Sequence, residues 1–256
     1  MASSATNYAA GLAFHAFVSV FPLILAMIAL VGLFPQAEDL RRLVESSLAG
    51  IFPKAERATI ALSFHHAQAA AGALVIVSIL GLLWTGTNLF SSMEFALNEV
   101  YLCNSRSLLR GKLMGLLMIG VFVVAISLTV GANAVAEFLP GHRIFGFVAG
   151  WVVMFSLLVV IYKVVPNRKI SFAEVWPGAL LAALSIEILS LAFPIYSNLT
   201  NSAASYGREF GLMFVLATWF YLLCLLLLVG AVLNRMRLEH FMEVEQAKMR
   251  IKPPAG

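Results

Sequence analysis

Glu187 is the residue of this sequence whose chemistry is most unusual for its surroundings. It lies near the middle of an apolar run from Trp176 to Tyr196 and is the only formal charge inside the long apolar segments. As a helix rising about 1.5 Å per residue, that run spans roughly the 30 Å hydrocarbon core of a bilayer. A central carboxylate there costs about 2.5–3.5 kcal/mol, so it normally faces a bundle interior or water. The sequence therefore predicts that other helices shelter Glu187.

Several polar residues on other apolar segments could share a pathway with Glu187. Asn88 is its predicted partner, because it lies deep in the second segment on a stripe of small and polar residues that favours close packing and interhelical hydrogen bonds. His15 is either a packing histidine or a proton site. We predict a substrate or proton pathway from Glu187, Asn88, Ser92, Thr85, Ser19, His15 and Ser190, with hinges or kinks at Pro22, Pro194 and Gly207.

Helical spacing around Glu187 predicts which side of its helix faces inward. The small or polar residues Ala179, Ala183, Glu187, Ser190 and Pro194 share one face, whereas bulky residues lie beside or behind it. The bulky set is Leu180, Leu184, Ile188 and Leu191. At the end of the second segment, Glu94, Asn98 and Glu99 form either a solvated helix end or a gate or docking site.

The composition places these residues in a membrane protein. Of 256 residues, 61% are hydrophobic and 12% are charged, which excludes an ordinary soluble globular domain. We predict an all-α, polytopic membrane bundle forming one transmembrane domain over residues 1–256, with a basic amphipathic cytoplasmic tail over 234–256. Six transmembrane helices are expected at about 12–34, 69–93, 113–136, 145–163, 176–197 and 210–233.

The distribution of Lys and Arg predicts the orientation. They concentrate after the second, fourth and sixth segments, which places both termini in the cytoplasm. The long stretch between the first two segments predicts amphipathic extracytoplasmic helices, either on the outer leaflet or folded as a lid. The net charge of +4 is scattered over turns, so it indicates topology and no nucleic-acid partner.

The remaining reactive residues do not indicate an enzyme. Cys103 and Cys224 are expected at different depths, and the adjacent His65 and His66 diverge on a helix, so neither pair predicts a disulfide or metal site. There is no HExxH, GxSxG or carboxylate pair for acid and base catalysis. We expect no enzymatic activity, no metal and no cofactor.

Several pieces of the sequence, in order, resemble one known family. They are AFHAFVSVFPLIL, LLWTGTNLFSSMEFALNEVY, VVPNRKISFAEVWPGALLAAL and IEILSLAFPIY, followed by SYG, ATWFYL and GAVLN. The chain resembles the YihY and virulence factor BrkB family of bacterial inner-membrane proteins, formerly mislabelled ribonuclease BN. The resemblance implies six helices, cytoplasmic termini and a transporter or lipid-flipping role. It departs at His15, where the family usually has Tyr, and at Val232, where it often has an acid.

The sequence is compatible with two functions. The first is a transporter or flippase for a lipid, amphiphile or small solute, using a polar crevice between helices one, two and five around Glu187. The second is an envelope scaffold that transports nothing and recruits a partner protein through its outer loop or its tail. Predicted partners are membrane lipids, an envelope protein and further copies of the chain.

Overall fold

The computed structural model describes residues 2–33, 71–136, 142–201 and 208–251, and this part of the chain is helical and free of strands. The helices are α1 Ala2–Leu33, α2 Ala71–Tyr101, α3 Leu108–Ala136, α4 His142–Val164, α5 Phe172–Asn201 and α6 Arg208–Ile251. Each predicted apolar segment overlaps one helix. The predicted amphipathic helices between the first two segments, with His65 and His66, and the predicted hinge at Gly207 lie outside the described residues.

The outer surface of the helices is apolar. Five helices are long and apolar enough to cross a membrane, and the described apolar part of α4, Val148–Val164, is shorter. Large side chains such as Trp84 (69% exposed) and Ile188 (68%) point away from the protein interior. Such side chains are stable facing lipid, where each helix satisfies its own backbone hydrogen bonds. The all-helical membrane bundle predicted from the composition is confirmed.

The six helices form a closed ring in chain order. Each packs against the next, and α6 returns to pack on α1. α6 also touches α2, so it contacts α1, α2 and α5. The extensive contacts of α5 are with α4 and α6, and those of α1 are with α2 and α6. α6 is therefore the element through which α5 is connected to the first two helices.

Consecutive helices run in opposite directions, which brings four chain segments together at one end of the bundle. The segment after α2 contacts the end of α4, and α6 contacts both the first turns of α5 and the last turn of α2. We call this end, marked by Asn98, Arg106, Asn167 and Asn234, the polar end. The charge distribution predicts that it faces the cytoplasm.

A tight turn at Leu102 ends α2 and aims the following segment at α4. Leu102 has a left-handed backbone (φ 52°), the Cys103 N–H donates to the Asn98 carbonyl at 2.8 Å, and the Leu102 N–H donates to the Glu99 carbonyl at 3.4 Å. This is the Schellman arrangement, in which glycine is the usual left-handed residue. A leucine there costs about 1–2 kcal/mol in backbone strain. The turn sends residues 103–107 across the polar end.

Burial is concentrated toward the polar end. The innermost buried residues run from Ala9 to Ala13 on α1, from Phe90 to Tyr101 on α2, from Val175 to Ile186 on α5 and from Cys224 to Leu238 on α6. Farther from the polar end, the described side chains are mostly half-buried or exposed. The exceptions are Ser78, Gly86, Thr87, Met118 and Val215. Among the described side chains, the central core thus lies in the half of the bundle next to the polar end.

Candidate functional site

Arg106 joins the end of α2 to the end of α4. Its guanidinium donates to the carbonyls of Val164 at 3.1 Å, Pro166 at 3.0 Å and Val165, and it pairs with Glu94 at 3.0 Å. A helix leaves its last carbonyls without intrahelical partners and carries a partial negative charge at that end. Arg106 donates hydrogen bonds to these carbonyls, and its positive charge offsets the partial negative charge of the helix end. Glu94 is 6% exposed, so this is a buried ion pair with its hydrogen bonds filled.

Two asparagines fix the turn between α4 and α5 against the segment that follows α2. The Asn167 N–H donates to Asn98 Oδ1 at 2.8 Å, and Asn167 Nδ2 donates to the Asn104 carbonyl at 2.9 Å. Asn98 is 2% exposed, and its Nδ2 is buried without a hydrogen-bond partner in the structure. A buried donor left unpaired costs about 1–3 kcal/mol. Asn98 therefore holds the turn at some expense in stability.

A second polar contact connects α5 and α6 where their backbones approach most closely. The Gly178 N–H donates to Asn234 Oδ1 at 2.7 Å, and Asn234 Nδ2 donates to Tyr101 Oη at 3.4 Å. A methyl group on Gly178 would overlap the Gly230 carbonyl oxygen, and one on Gly230 would lie 2.5 Å from Tyr162 Oη. Only glycine fits at either position. Tyr162 in turn donates to the Leu227 carbonyl at 2.6 Å, which adds α4 to this contact.

Ser171 and Glu174 form a capping box that begins α5 beside these contacts. The Ser171 N–H donates to Glu174 Oε2 at 2.8 Å. On α6, Arg235 donates to the Val100 carbonyl at 3.1 Å and pairs with Glu239 at 2.8 Å. The ends of α2 and α4, the start of α5 and the middle of α6 are thus connected by side chains that bond to backbone groups.

Cys103 lies in this segment but is not an activated nucleophile. Burial raises the pKa of its thiol, and the nearby Arg168 and Arg106 lower it without cancelling that effect. Reactive cysteines have a lowered pKa and a stable thiolate. Cys103 and Cys224 are both free thiols. Among the described residues, no group of three or more His, Cys, Asp or Glu could hold a metal ion.

The contacts between α1 and α2 place His15 level with Asn88. The rings of Tyr8 and Phe95 are 5.6 Å apart, and Pro22 Cβ lies 3.2 Å from the position of a Cβ on Gly81. These two antiparallel contacts have the same register, in which residue 15 lies opposite residue 88. His15 and Asn88 therefore lie at one depth.

Glu187 lies at about this depth as well. Counting from the contact of Gly178 with Gly230 and Asn234, Glu187 is nine residues on, about 13 Å at the helical rise, and opposite residues 221–225 of α6. Counting back along α2 and α6 from the Arg235 contact with Val100 puts Asn88 opposite the same part of α6. His15, Asn88 and Glu187 form what we call the midplane layer, all three half-buried.

The midplane layer lies just beyond the central core. The last central buried residues are Ala13, Phe90, Ile186 and Cys224, and each is within about three residues of the layer on the polar-end side. The inward face predicted for α5 is confirmed at Ala179 and Ala183, which are fully buried, and its bulky face is exposed at Leu184, Ile188 and Leu191.

The other predicted pathway residues do not all face the layer. Ser19 donates to the His15 carbonyl and Thr85 to the Gly81 carbonyl, so both hydroxyls bond within their own helices and not across an interface. Ser92 is half-buried and Ser190 is exposed. In the described part of the chain, Glu187 and Asn88 share no hydrogen bond. Pro22 lies inside the continuous helix α1, and Pro194 inside α5, where the structure describes the backbone alone.

The comparison with known families agrees with this architecture. The sequence model of the family described as Virulence factor BrkB matches residues 2–253. The chain belongs to the BrkB family. The resemblance seen in the sequence is confirmed, and this BrkB-family protein is a multi-pass bacterial membrane protein like its relatives.

Curated relatives of this BrkB-family protein have general names. It is 27% identical over 247 residues to YfkH of Bacillus subtilis, a protein named as ribonuclease-like, covering 88% of this chain and 87% of the relative. It is 26% identical to UPF0761 membrane proteins of Nitrosospira multiformis and Rhodospirillum rubrum. The matches cover 89% and 88% of this chain, but only 56% and 53% of those relatives. No solved structure matches the chain.

Sequence reasoning missed the network at the polar end. A solvated helix end is the wrong interpretation for Glu94 and Asn98, which are buried, although it holds for exposed Glu99. From sequence, Arg106 is one of the basic residues after the second segment that predict the orientation, and no pattern predicts a role for Asn234. Asn234 stands in the GAVLN piece that carried the family resemblance, and Gly178 follows Pro177 in another, so those pieces were the available signal.

Proposed function

We propose that this BrkB-family protein moves an amphiphile or small solute across or within the membrane, with the midplane layer as its central site. The observation that carries the proposal is the position of three titratable or polar side chains, His15, Asn88 and Glu187, directly beyond the point where the central core ends. Half-buried polar groups at that depth are costly unless water or a polar ligand solvates them. Polar groups directly beyond the central core are suited to binding a passing headgroup or ion.

Among the described residues, no hydrogen bond holds the Glu187 carboxyl group to a partner, and this supports transport over scaffolding. A carboxyl group that served only to hold helices together would be expected to donate to Asn88 or to a carbonyl, and no such bond joins Glu187 to Asn88 in the described region. A carboxyl group that is not held by a fixed hydrogen bond can exchange a proton or a ligand. We propose that protonation of Glu187 gates or drives the movement.

The test is transport by the purified protein in proteoliposomes across a range of pH, with fluorescent lipids and charged solutes as substrates. Glu187→Gln should lower the rate by about tenfold or more, which corresponds to roughly 1.4 kcal/mol in the barrier, and should flatten its pH dependence. Glu99→Gln makes the same chemical change at an exposed site on the polar end and is the matched control.

Two results would count against this proposal. If the Glu187→Gln protein folds normally and transports like the unaltered protein at every pH, the layer has no proton role. If the unaltered protein moves none of the substrates, the scaffold becomes the better function. Its support is α6, a helix of 44 residues that continues past the polar end to Ile251.

We also propose that the protein is not a nuclease, although one relative is named ribonuclease-like. At the polar end, Glu94, Asn98 and Asn234 are bonded to backbone groups or to another side chain across helix ends, and none of the described polar side chains is arranged as an acid and base pair around a cleft. RNA hydrolysis that persisted through stringent purification and was lost on changing one named residue would overturn this.

A further inference from the structure

The turn between α4 and α5 forms a basic groove at the polar end. The groove has a volume of about 530 Å³. Its lining residues are Arg106, Lys163, Val164, Pro166, Asn167, Arg168, Lys169 and Ile170. Lys163, Arg168 and Lys169 are exposed, and no described carboxylate pairs with any of the three. The groove thus has three cations whose charge is not balanced within the described part of the chain.

Arg106 removes the repulsion that the carboxyl end of α4 would otherwise exert on an anion in this groove. The carboxyl end of a helix normally repels anions, because its free carbonyls carry about half a negative charge. Here the Arg106 guanidinium covers the carbonyls of Val164, Val165 and Pro166, and Glu94 balances its charge. The repulsion is removed without using any of the three exposed cations.

The groove is also held in one shape. Asn167, in its lining, is bonded through its backbone N–H to Asn98 and through its side chain to the Asn104 carbonyl. The α5 capping box closes the other side of the same turn. Ordinary topology-determining lysines and arginines need no such fixed backbone, since their charge alone acts in the positive-inside rule. A fixed turn lowers the ordering cost of binding a ligand.

We propose that this groove binds a phosphate group, and that its source is the headgroup of an anionic phospholipid. Lys163 is the penultimate residue both of α4 and of its apolar segment Val148–Val164, so the groove lies where that segment ends, at headgroup depth. Basic recesses between helix ends at that depth recognise anionic headgroups. This inference is separate from transport, because a bound headgroup here acts whether or not the midplane layer moves a substrate.

The test measures lipid binding to the purified protein in nanodiscs or detergent by native mass spectrometry. Phosphatidylglycerol is compared with phosphatidylcholine of the same acyl chains, and inorganic phosphate is added as a competitor. The double variant Arg168→Gln/Lys169→Gln should lower affinity for phosphatidylglycerol about tenfold and leave phosphatidylcholine binding unchanged. The matched control is Arg110→Gln/Lys112→Gln, which removes two exposed cations of the same end from outside the groove.

The outcomes separate the two sources of phosphate. A loss confined to the groove variant and to phosphatidylglycerol supports the proposal. Displacement of the lipid by micromolar inorganic phosphate would keep the phosphate site but overturn the headgroup as its source. An equal loss in the groove and control variants would show general surface charge and overturn the site.

Discussion

At the residue scale, the side chain of Arg106 alone bonds to three backbone carbonyls and one buried carboxylate. None of these partners lies near it in sequence except Glu94, twelve residues earlier. A lysine could not replace it, because only the planar guanidinium presents several N–H groups in fixed directions. Arg106 therefore fixes how α2 and α4 meet.

Removing the Arg106 side chain should destabilise the fold strongly. Arg106→Met leaves the Glu94 carboxylate and the α4 carbonyls without partners, and breaking a buried pair on one side costs about 3–5 kcal/mol. Thermal unfolding in detergent should show this as a large fall in Tm. Arg110→Met, at an exposed site on the same end, should change stability by less than about 0.5 kcal/mol. Equal Tm values for the two variants would contradict the bonding described here.

For Cys103, the cause of the pKa shift predicts the direction in which the pH profile of alkylation should move. Because burial raises the thiol pKa and Arg168 lowers it, less thiolate is present at a given pH than on a free cysteine, and removing Arg168 should reduce it further. In a Cys224→Ser background, the midpoint of the pH profile for alkylation should lie above that of the unfolded chain, and Arg168→Gln should move it higher. The midpoint of this pH profile, unlike the rate of alkylation, does not depend on how easily the reagent reaches the thiol. A downward shift in Arg168→Gln would refute the assigned cause.

At the scale of elements, the crossing of α5 and α6 is set by two glycines. A methyl group on Gly230 would lie 2.6 Å from the Gly178 carbonyl oxygen and 2.9 Å from Ala182 Cβ, and those groups are backbone or a neighbouring methyl with nowhere to move. The crossing brings Asn234 within reach of the Gly178 N–H. The close approach of α5 and α6 and the hydrogen bond from the Gly178 N–H to Asn234 therefore depend on each other.

Gly230→Ala should separate α5 from α6. Overpacking of this kind costs about 1–3 kcal/mol, and the loss of the Asn234 bond adds to it. Gly120→Ala is the control, since a methyl group there meets nothing within 4 Å and the change should stabilise α3 by up to about 1 kcal/mol through helix propensity. Unfolding midpoints of both variants measure the difference. If Gly230→Ala were as stable as the unaltered protein, the crossing would be looser than described.

The helices were predictable from the sequence and the contacts between them were not. Apolar length alone located six segments, because a bilayer demands about 20 apolar residues. α2 runs on to Tyr101, beyond the predicted end at residue 93, because Glu94 and Asn98 are buried against other chain segments. Whether such a residue is solvated or buried depends on partners as distant as Arg106 and Asn167. Periodicity within one helix carries no information about them.

The depth of the candidate site followed from sequence, but its surroundings did not. Counting residues from the middle of each apolar run placed Asn88 and Glu187 near the midplane, and the registers of the helices agree with this. Which helices touch was beyond such counting. The sequence grouped helices one, two and five directly, whereas in the structure α6 lies in contact with all three.

At the scale of the whole molecule, the polar end is packed and bonded, whereas beyond the midplane layer few of the side chains that the structure describes are buried. This unevenness does not follow from composition, since both halves are apolar. It follows from where glycine, asparagine and arginine allow helices to approach and to bond. Stability should therefore be greatest at the polar end.

Labelling of single cysteines can test this unevenness directly. In a background lacking Cys103 and Cys224, Ser19→Cys lies beyond the layer and is half-buried, whereas Ala13→Cys lies in the core. A membrane-impermeant maleimide, which reacts only in water, should label Ser19→Cys and spare Ala13→Cys. Labelling from the outer side of the membrane alone would also confirm the predicted orientation. Equal protection of both positions would mean that the far half is sealed.

Among the described residues, the side-chain hydrogen bonds that join different helices are concentrated at the polar end. A change of about 10° in the angle of a helix at this end would move the opposite end of a 30 Å helix by roughly 5 Å, the width of a lipid chain. Because Gly178, Gly230 and Asn234 set how α5 and α6 cross, they would also set how far apart these two helices lie at their other ends.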